Sequence, residues 1–243
     1  MKRAIVTGAG RGIGLAIAQR LAAEGWVVGV LDTNEADVKK AVADIPHSIA
    51  LVADISQPDS VAAALKTFGE APHCLVNNAG IVRFGPLLTL SHSDFSAVVN
   101  VNLIGTYNAA RVFAAACAKL DPMEDGERGA MVFTASVAAF DGQVGQQAYS
   151  ASKAGVAGMT LPMARDLAQH GIRVCTIAPG IFATPLLKTL PEPVQASLAA
   201  SIPFPSRLGK PEEFAQLAAH IVSNGHMNGE VIRLDGALRM APR

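Results

Sequence analysis

What most constrains this chain is an alternation. Short Val/Ile-rich runs at 4–7, 27–31, 49–52, 74–76, 130–134, 173–177 and 231–234 take turns with helix-length stretches near 12–24, 34–43, 57–69, 93–119, 147–169 and 211–223. The runs do not switch strictly between apolar and polar residues, so both faces of each strand must be covered, as in a parallel sheet flanked by helices. Strand–helix alternation over the whole length predicts a single α/β domain on a doubly wound, seven-stranded parallel sheet. No repeat, low-complexity tract or linker divides the 243 residues. The one irregular stretch, about 181–210, carries Pro185, Pro191, Pro193, Pro203 and Pro205. A connection that long inside a compact domain reads as a lid.

Composition narrows the function. Lys plus Arg and Asp plus Glu both number 20, for a net charge of zero, which argues against a nucleic-acid partner. The chain is 50% apolar and only 16% charged, which argues against disorder. Its mean hydropathy is positive (+0.31), yet it has no run of the roughly 18 apolar residues needed for a spanning helix. No membrane partner is expected, so the apolar excess must fill a core, an interface or a substrate pocket. The chain begins directly in a strand pattern and leaves no room for a signal or transit peptide, which points to a cytoplasmic setting. Cys74, Cys117 and Cys175 lie far apart in apolar stretches and read as buried hydrophobes. The six histidines are scattered, so no metal site is expected. Trp26 opens an apolar strand and reads as core.

The first strand runs into Thr7-Gly8-Ala9-Gly10-Arg11-Gly12-Ile13-Gly14 and then a helix. Glycines there allow a tight turn and let backbone N–H groups approach a pyrophosphate at the helix N-terminus. The strand before it and the helix after it supply the context a dinucleotide loop requires. Eighteen residues after Gly14, Asp32 ends the second strand. Its carboxylate can accept from ribose hydroxyls and would repel a 2′-phosphate, which favours NAD. Arg11 is a contrary signal, since a basic residue in the loop can reach such a phosphate. Asp54 and Ile55 follow the third strand, placed to hydrogen-bond an adenine amino group and to pack on its ring. Asn77-Asn78-Ala79-Gly80 follows the fourth strand and would let the cofactor ribose lie against the backbone.

The fifth strand ends at Thr134-Ala135-Ser136, and Tyr149 and Lys153 follow at i and i+4 on a helix, hence on one face. A nearby ammonium favours the phenolate, so the tyrosine pKa is expected to fall from about 10. Such a tyrosine acts as general acid or base on an alcohol or carbonyl oxygen, and a serine hydroxyl holds the same oxygen.

With these motifs in place the sequence resembles the short-chain dehydrogenase/reductase family over essentially its full length. The resemblance rests on the 7–14 loop, Asp32, Asp54, the 77–80 run, Asn102 in Val99-Asn100-Val101-Asn102-Leu103, Ser136, Tyr149-x-x-x-Lys153 and Pro179-Gly180. It implies a Rossmann-type domain and a Ser136–Tyr149–Lys153 set supported by Asn102, which would tether a proton-relaying water. Stretches 135–146, 177–187, 202–209 and 229–237 are similar to the type 2 3-hydroxyacyl-CoA dehydrogenases. Those enzymes oxidise the 3-hydroxyl of acyl-CoA thioesters with NAD, and some members accept hydroxysteroids. Animal members carry an extra loop before the long fourth helix, and the segment between Gly80 and Asn102 looks too short to hold it.

On that mechanism NAD lies across the C-terminal ends of the strands, touching Gly8, Arg11, Gly12, Ile13, Gly14, Asp32, Asp54, Ile55, Asn78, Ala79, Gly80, Tyr149, Lys153, Pro179 and Gly180. The backbone near Phe182 and the Thr184 hydroxyl bind the carboxamide. Substrate sits between Ser136 and Tyr149, with Gln143 facing the same pocket by spacing. Leu186, Leu187, Leu190 and Phe204 of the lid close over an apolar acyl chain. The phosphates of a CoA ester would need local charges such as Arg207 or Lys210. The Ala- and Gly-rich helices 93–119 and 147–169 suit close packing in a homotetramer, the common family assembly. Other readings are an NADPH-dependent 3-oxoacyl carrier-protein reductase, suggested by Arg11, a hydroxysteroid or general secondary-alcohol dehydrogenase, and a non-catalytic dinucleotide-binding scaffold. Replacing Asp32 by Ala is predicted to relax the preference for NAD; an unchanged ratio of initial rates with the two nicotinamide cofactors would refute the role.

Overall fold

The computed structural model of the chain describes residues 1–185 and 187–242. Strands β1 (Arg3–Thr7), β2 (Val27–Asp32), β3 (Ser48–Val52), β4 (Cys74–Asn77), β5 (Gly129–Thr134), β6 (Ile172–Pro179) and β7 (Val231–Leu234) pair in the order β3-β2-β1-β4-β5-β6-β7, all parallel. The apolar runs are continuous because each strand feeds two cores. Val6, Val28, Val30, Val76, Val132 and Ile177 face one layer of helices, α1 (Gly12–Ala23), α2 (Glu35–Asp44) and α8 (Pro211–Ser223). Ile5, Leu31, Leu75, Met131, Phe133 and Val174 face the other, α3 (Pro58–Phe68), α5 (Thr106–Cys117) and α6 (Gln147–Ala168). Trp26 is only half buried, with the Lys2 ammonium over its ring at 5.6 Å, so it caps the rim of the first core rather than filling it.

The chain winds outward from β1 to β3 and then returns to place β4 beside β1. Where the winding reverses, the connections leave to opposite sides and a crevice opens at the strand ends. The Thr7 hydroxyl closes its floor, accepting from the backbone N–H groups of Asn78 and Ala79, both at 3.0 Å, and donating to Asn77 Oδ1.

One expected element comes out differently. The helix expected over 93–119 is α4 (His92–Val99), then a π-helical turn (Asn100–Gly105), then α5. A π turn adds a residue to the ring, and such turns concentrate at functional sites. The carbonyl of Asn102 accepts from the Thr106 hydroxyl at 2.7 Å, and that of Thr106 from Asn77 Nδ2 at 3.0 Å, so backbone polarity in the widened turn is met by side chains. The 181–210 stretch folds into a short 3-10 turn (Leu187–Thr189) and helix α7 (Glu192–Ala200), with no buried residue in α7. Leu186 lies outside the described residues. No helix among the described residues is long and apolar enough to cross a membrane.

Candidate active site

The β1–α1 loop is shaped by contacts that admit only glycine. A Cβ on Gly14 would sit 2.1 Å from the Gly8 carbonyl oxygen, and one on Gly8 would sit 2.8 Å from Ala79 Cα, with Gly8 itself at φ +65. The helix behind the loop begins without a side-chain cap at Arg11 and without an acidic residue in its first turn. By contrast Asn34 caps α2 and Ser91 caps α4. The first N–H groups of α1, from Gly12, Ile13 and Gly14, are therefore left for an external anion. A Cβ on Gly12 would lie 3.3 Å from Pro185 Cδ and 4.0 Å from Thr184, so the start of the lid overhangs this loop.

Beside the loop lies a cavity of about 350 Å³ that brings together Gly8, Arg11, Asp32, Thr33, Asp54, Ile55, Asn78, Ala79 and Gly80. Asp32 accepts from Gly10 N and Asn34 N, both at 3.2 Å, one on each carboxylate oxygen. These bonds fix the carboxylate and leave further lone pairs to the cavity. Asp54 accepts from Ser56 N at 2.8 Å. Ile55 lines the same cavity and also packs in the second core, where its Cγ1 and Cδ1 cover the side-chain-free face of Gly105. Arg11 is exposed at the rim.

At the other end of the crevice Ser136 lies two residues beyond β5 with extended backbone and accepts from Ala138 N at 3.1 Å. Tyr149 and Lys153 share one face of α6, with Lys153 Nζ 5.8 Å from the tyrosine ring centroid. Lys153 is buried (4% exposed) and donates to the Thr134 carbonyl at 2.7 Å. An ammonium has three donors, and among the described residues this carbonyl is the one acceptor Lys153 has. Burial pulls its pKa down to about 8. The Tyr149 phenol is pushed up from its usual value by burial, with the Ser136 hydroxyl pulling it back down. The shift is thus opposite to the depression expected from the lysine, and Ser136 is the group that pulls the phenol down: desolvation penalises phenolate and ammonium alike.

The Asn102 side-chain amide does not bond within its own helix. It accepts from Ile81 N at 2.8 Å and donates to Ile81 O at 2.9 Å and to Ser152 Oγ at 3.1 Å. Ser152 in turn donates to the Tyr149 carbonyl at 2.8 Å. The side chain ties the turn after β4 to the catalytic helix, and the signal that finds this is Ser152, which sequence reasoning passed over. Gly80 sits between, its missing Cβ 3.2 Å from Asn102 Oδ1 and 3.5 Å from Lys153 Nζ. Phe84, also missed, packs edge-on against Tyr149 at 6.0 Å.

Past β6, Gly180 is held by the Leu234 carbonyl at 2.9 Å and approaches Asp235 too closely for any side chain. Pro179 pairs with Leu234 in the strand register. The Phe182 ring is buried against Phe214, while Thr184 Oγ1 accepts from Leu187 N. Gln143 turns away from the role expected of it: its amide nitrogen donates to the Ala241 carbonyl at 2.9 Å and its oxygen accepts from Gln146. Arg207 is likewise committed, in a forked pair with Glu213 at 2.6 and 2.9 Å that holds the Glu213 carboxyl down at about 2. Leu190 and Phe204 are exposed on the lid. All three cysteines are buried, and burial pushes Cys74 and Cys117 to about 12, which leaves them unreactive.

A glycine-lined anion site, an acidic ribose acceptor and a Ser–Tyr–Lys cluster along one crevice define a dinucleotide-dependent oxidoreductase. The family model for short chain dehydrogenase matches residues 2–195, and the chain belongs to that family. It is 49% identical to the 3-hydroxyacyl-CoA dehydrogenase type-2 of Bos taurus over 250 residues, covering 98% of this chain and 95% of the relative. The crystal structure of 3-hydroxyacyl-CoA dehydrogenase type-2 from Mycobacterium avium superposes with a TM-score of 0.96 at 41% identity, covering 100% of this chain and 97% of that one. A 3-oxoacyl-[acyl-carrier protein] reductase with bound NAD from Brucella melitensis superposes at 0.87 with 31% identity, covering 99% and 92%.

Replacing Tyr149 by Phe should leave cofactor affinity intact and lower turnover by about 10²–10⁴-fold, the range for a lost general acid–base group. Because burial holds the phenol high, alcohol oxidation by the wild type should rise with pH on the alkaline side. A pH profile of kcat/KM that is flat there, or substantial activity in the variant, would remove Tyr149 from the chemistry.

Proposed function

We propose that this protein is an NAD-dependent dehydrogenase interconverting 3-hydroxyacyl-CoA and 3-oxoacyl-CoA thioesters. The observation that carries the reading is the pairing of two ends of one crevice: Asp32 beside the dinucleotide loop, and Tyr149 flanked by Ser136 and the buried Lys153. The protein's groups fit the cofactor. The uncapped start of α1 suits a pyrophosphate, and the spare donors of Lys153 suit ribose hydroxyls. Asn78, Ala79 and Gly80 would lie along that ribose. Pro179, Gly180, Phe182 and Thr184 would meet the carboxamide. When bound, NAD supplies the hydride acceptor.

The chain's own residues handle the oxygen. Ser136 donates a hydrogen bond to the substrate oxygen and fixes it against Tyr149. Tyr149 takes the hydroxyl proton as the carbon-bound hydride leaves, and returns it in the reverse direction. Lys153 stabilises the phenolate as it forms, at about 1 kcal/mol or more for an opposite charge within a few ångströms. Asn102 keeps the turn after β4 and α6 in register, which holds Tyr149 and Lys153 against the crevice.

A second reading, reduction of 3-oxoacyl groups on a carrier protein with NADPH, is favoured by Arg11, which lines the same cavity as Asp32 and is exposed. The preference for the first rests on Asp32: a 2′-phosphate would face a carboxylate there, and like charges in contact cost several kcal/mol. A homotetramer in a cytoplasmic setting completes the proposal. Phe95, Ile104, Tyr107 and Leu161 are large apolar side chains exposed on α4, the π turn, α5 and α6.

The test is a substrate panel with NAD⁺: 3-hydroxyacyl-CoA esters of several chain lengths, hydroxysteroids and simple secondary alcohols, with acetoacetyl-CoA reduction compared under NADH and NADPH. CoA esters should be oxidised with the highest kcat/KM, and NADH should outrun NADPH. A steroid or plain alcohol preferred over every CoA ester, or faster turnover with NADPH, would overturn the proposal. Light scattering should give a tetramer; a monomer would refute the assembly.

A further inference from the structure

We propose that Arg233, on the edge strand β7, is a positioning residue for the substrate loop 137–146, and that the C-terminal segment 239–242 is its second clamp. The inference rests on the dehydrogenase reading above, because the loop begins directly after Ser136 and ends at the helix carrying Tyr149.

Arg233 uses its whole guanidinium. Its Nη2 donates to Asp141 Oδ2 at 2.7 Å and to the Leu238 carbonyl at 2.9 Å, its Nη1 to Asp141 Oδ1 at 3.4 Å, and its Nε to Asp235 Oδ2 at 2.7 Å. The guanidinium also lies 5.4 Å from the Phe140 ring centroid. One side chain thus joins the strand to the loop through Asp141 and to the tail through Leu238. The pair is mostly buried, and the Arg233 guanidinium beside Asp141 holds that carboxyl below its usual range. Asp235 is shared with Arg239 at 3.2 Å, so the first tail residue joins the same cluster.

The tail then holds the loop directly. Gln143 Nε2 donates to the Ala241 carbonyl at 2.9 Å, and Val144 N donates to the Pro242 carbonyl at 3.1 Å. From the loop the chain of contacts continues to the catalytic tyrosine. Gly85 N donates to the Gly145 carbonyl at 3.0 Å, Gln147 Nε2 donates to the Gly85 carbonyl at 2.8 Å, and the neighbouring Phe84 packs edge-on against Tyr149. Nothing in this chain of contacts involves Asp32, the glycine loop or the start of α1. Loss of Arg233 therefore frees the loop that follows Ser136 and leaves the glycine loop and Asp32 as they are. This also explains why the Gln143 amide is bound to the tail: the residue belongs to the clamp.

Four variants of the 243-residue chain test this: Arg233→Ala, Arg233→Lys, Asp141→Asn combined with Arg233→Ala, and deletion of 239–243. Each is assayed on the best substrate of the panel, with NADH affinity by fluorescence and hydrogen exchange of the backbone. Arg233→Ala and the deletion should each raise substrate KM about tenfold, with kcat falling less and NADH affinity within about twofold of wild type. Arg233→Lys should recover part of the loss, since an ammonium keeps one contact but not the fork. Asp141→Asn in the Arg233→Ala background should add little, because both act through one contact. Exchange should quicken in 137–146 and stay unchanged in β1 and α1. Unchanged KM with only a lowered Tm, or KM and NADH affinity weakened together, would overturn the positioning role. If the wild type turns over no member of the panel, the functional reading fails, and unchanged exchange in 137–146 would still defeat the clamp.

Discussion

The Thr7 hydroxyl, accepting two backbone N–H groups at the point where the sheet reverses its winding, is the constraint on which the rest of the site depends. It fixes the ends of β1 and β4 relative to each other, and that spacing is the floor of the crevice. From β1 comes the glycine loop, and from β4 the turn holding Ala79 and Gly80. The two meet so closely that Gly8 and Gly14 have no room for a side chain. The N-terminus of α1 faces the gap unshielded, so an anion there would need no positive side chain. A chain of zero net charge can hold a dianion this way.

Burial governs the Tyr149–Lys153 end of the site. Among the described residues Lys153 has one carbonyl as acceptor, and its pKa is pulled down to about 8, while Tyr149 is pushed the opposite way by the same cause. Each group is therefore unsettled in the charged form that alcohol oxidation needs. A ligand with hydroxyls to accept from the ammonium would relieve one of them. The electrostatic conflict is the physical statement of why this cluster belongs to a binding site and not to the core.

Much of this was legible in the sequence, and the reasons are local. Strand positions followed from apolar runs that serve two cores, and the glycine loop announced itself by its place between a strand and a helix. Tyr149 and Lys153 were found by helical spacing. What spacing does not encode is which of several partners a polar group takes. Asn102 sat in the right motif, yet its bonding to Ile81 and Ser152 depends on a chain reversal between distant segments. Gln143 and Arg207 were each drawn elsewhere by a partner, Ala241 in one case and Glu213 in the other. The direction of the tyrosine shift also escaped, because a motif shows the neighbouring charge and hides the burial that opposes it.

The π turn at Asn100–Gly105 sits in the middle of one inward-facing stripe. Ahead of it Val98 points inward; within it Asn102 reaches across to Ile81 and Ser152; behind it Thr106, Ala109, Ala110 and Phe113 are buried. At about 100° per residue Val98, Asn102, Thr106, Ala109 and Phe113 fall within about 80° of one another, so they form one inward stripe. One helical rod thus serves two requirements: an amide aimed at the helix that carries Tyr149 and an apolar stripe aimed at the sheet. Segment length here is consequently quantised. Surface loops of this chain can vary by a residue at little cost, but within these six positions one residue more or fewer would rotate α5 against its own core.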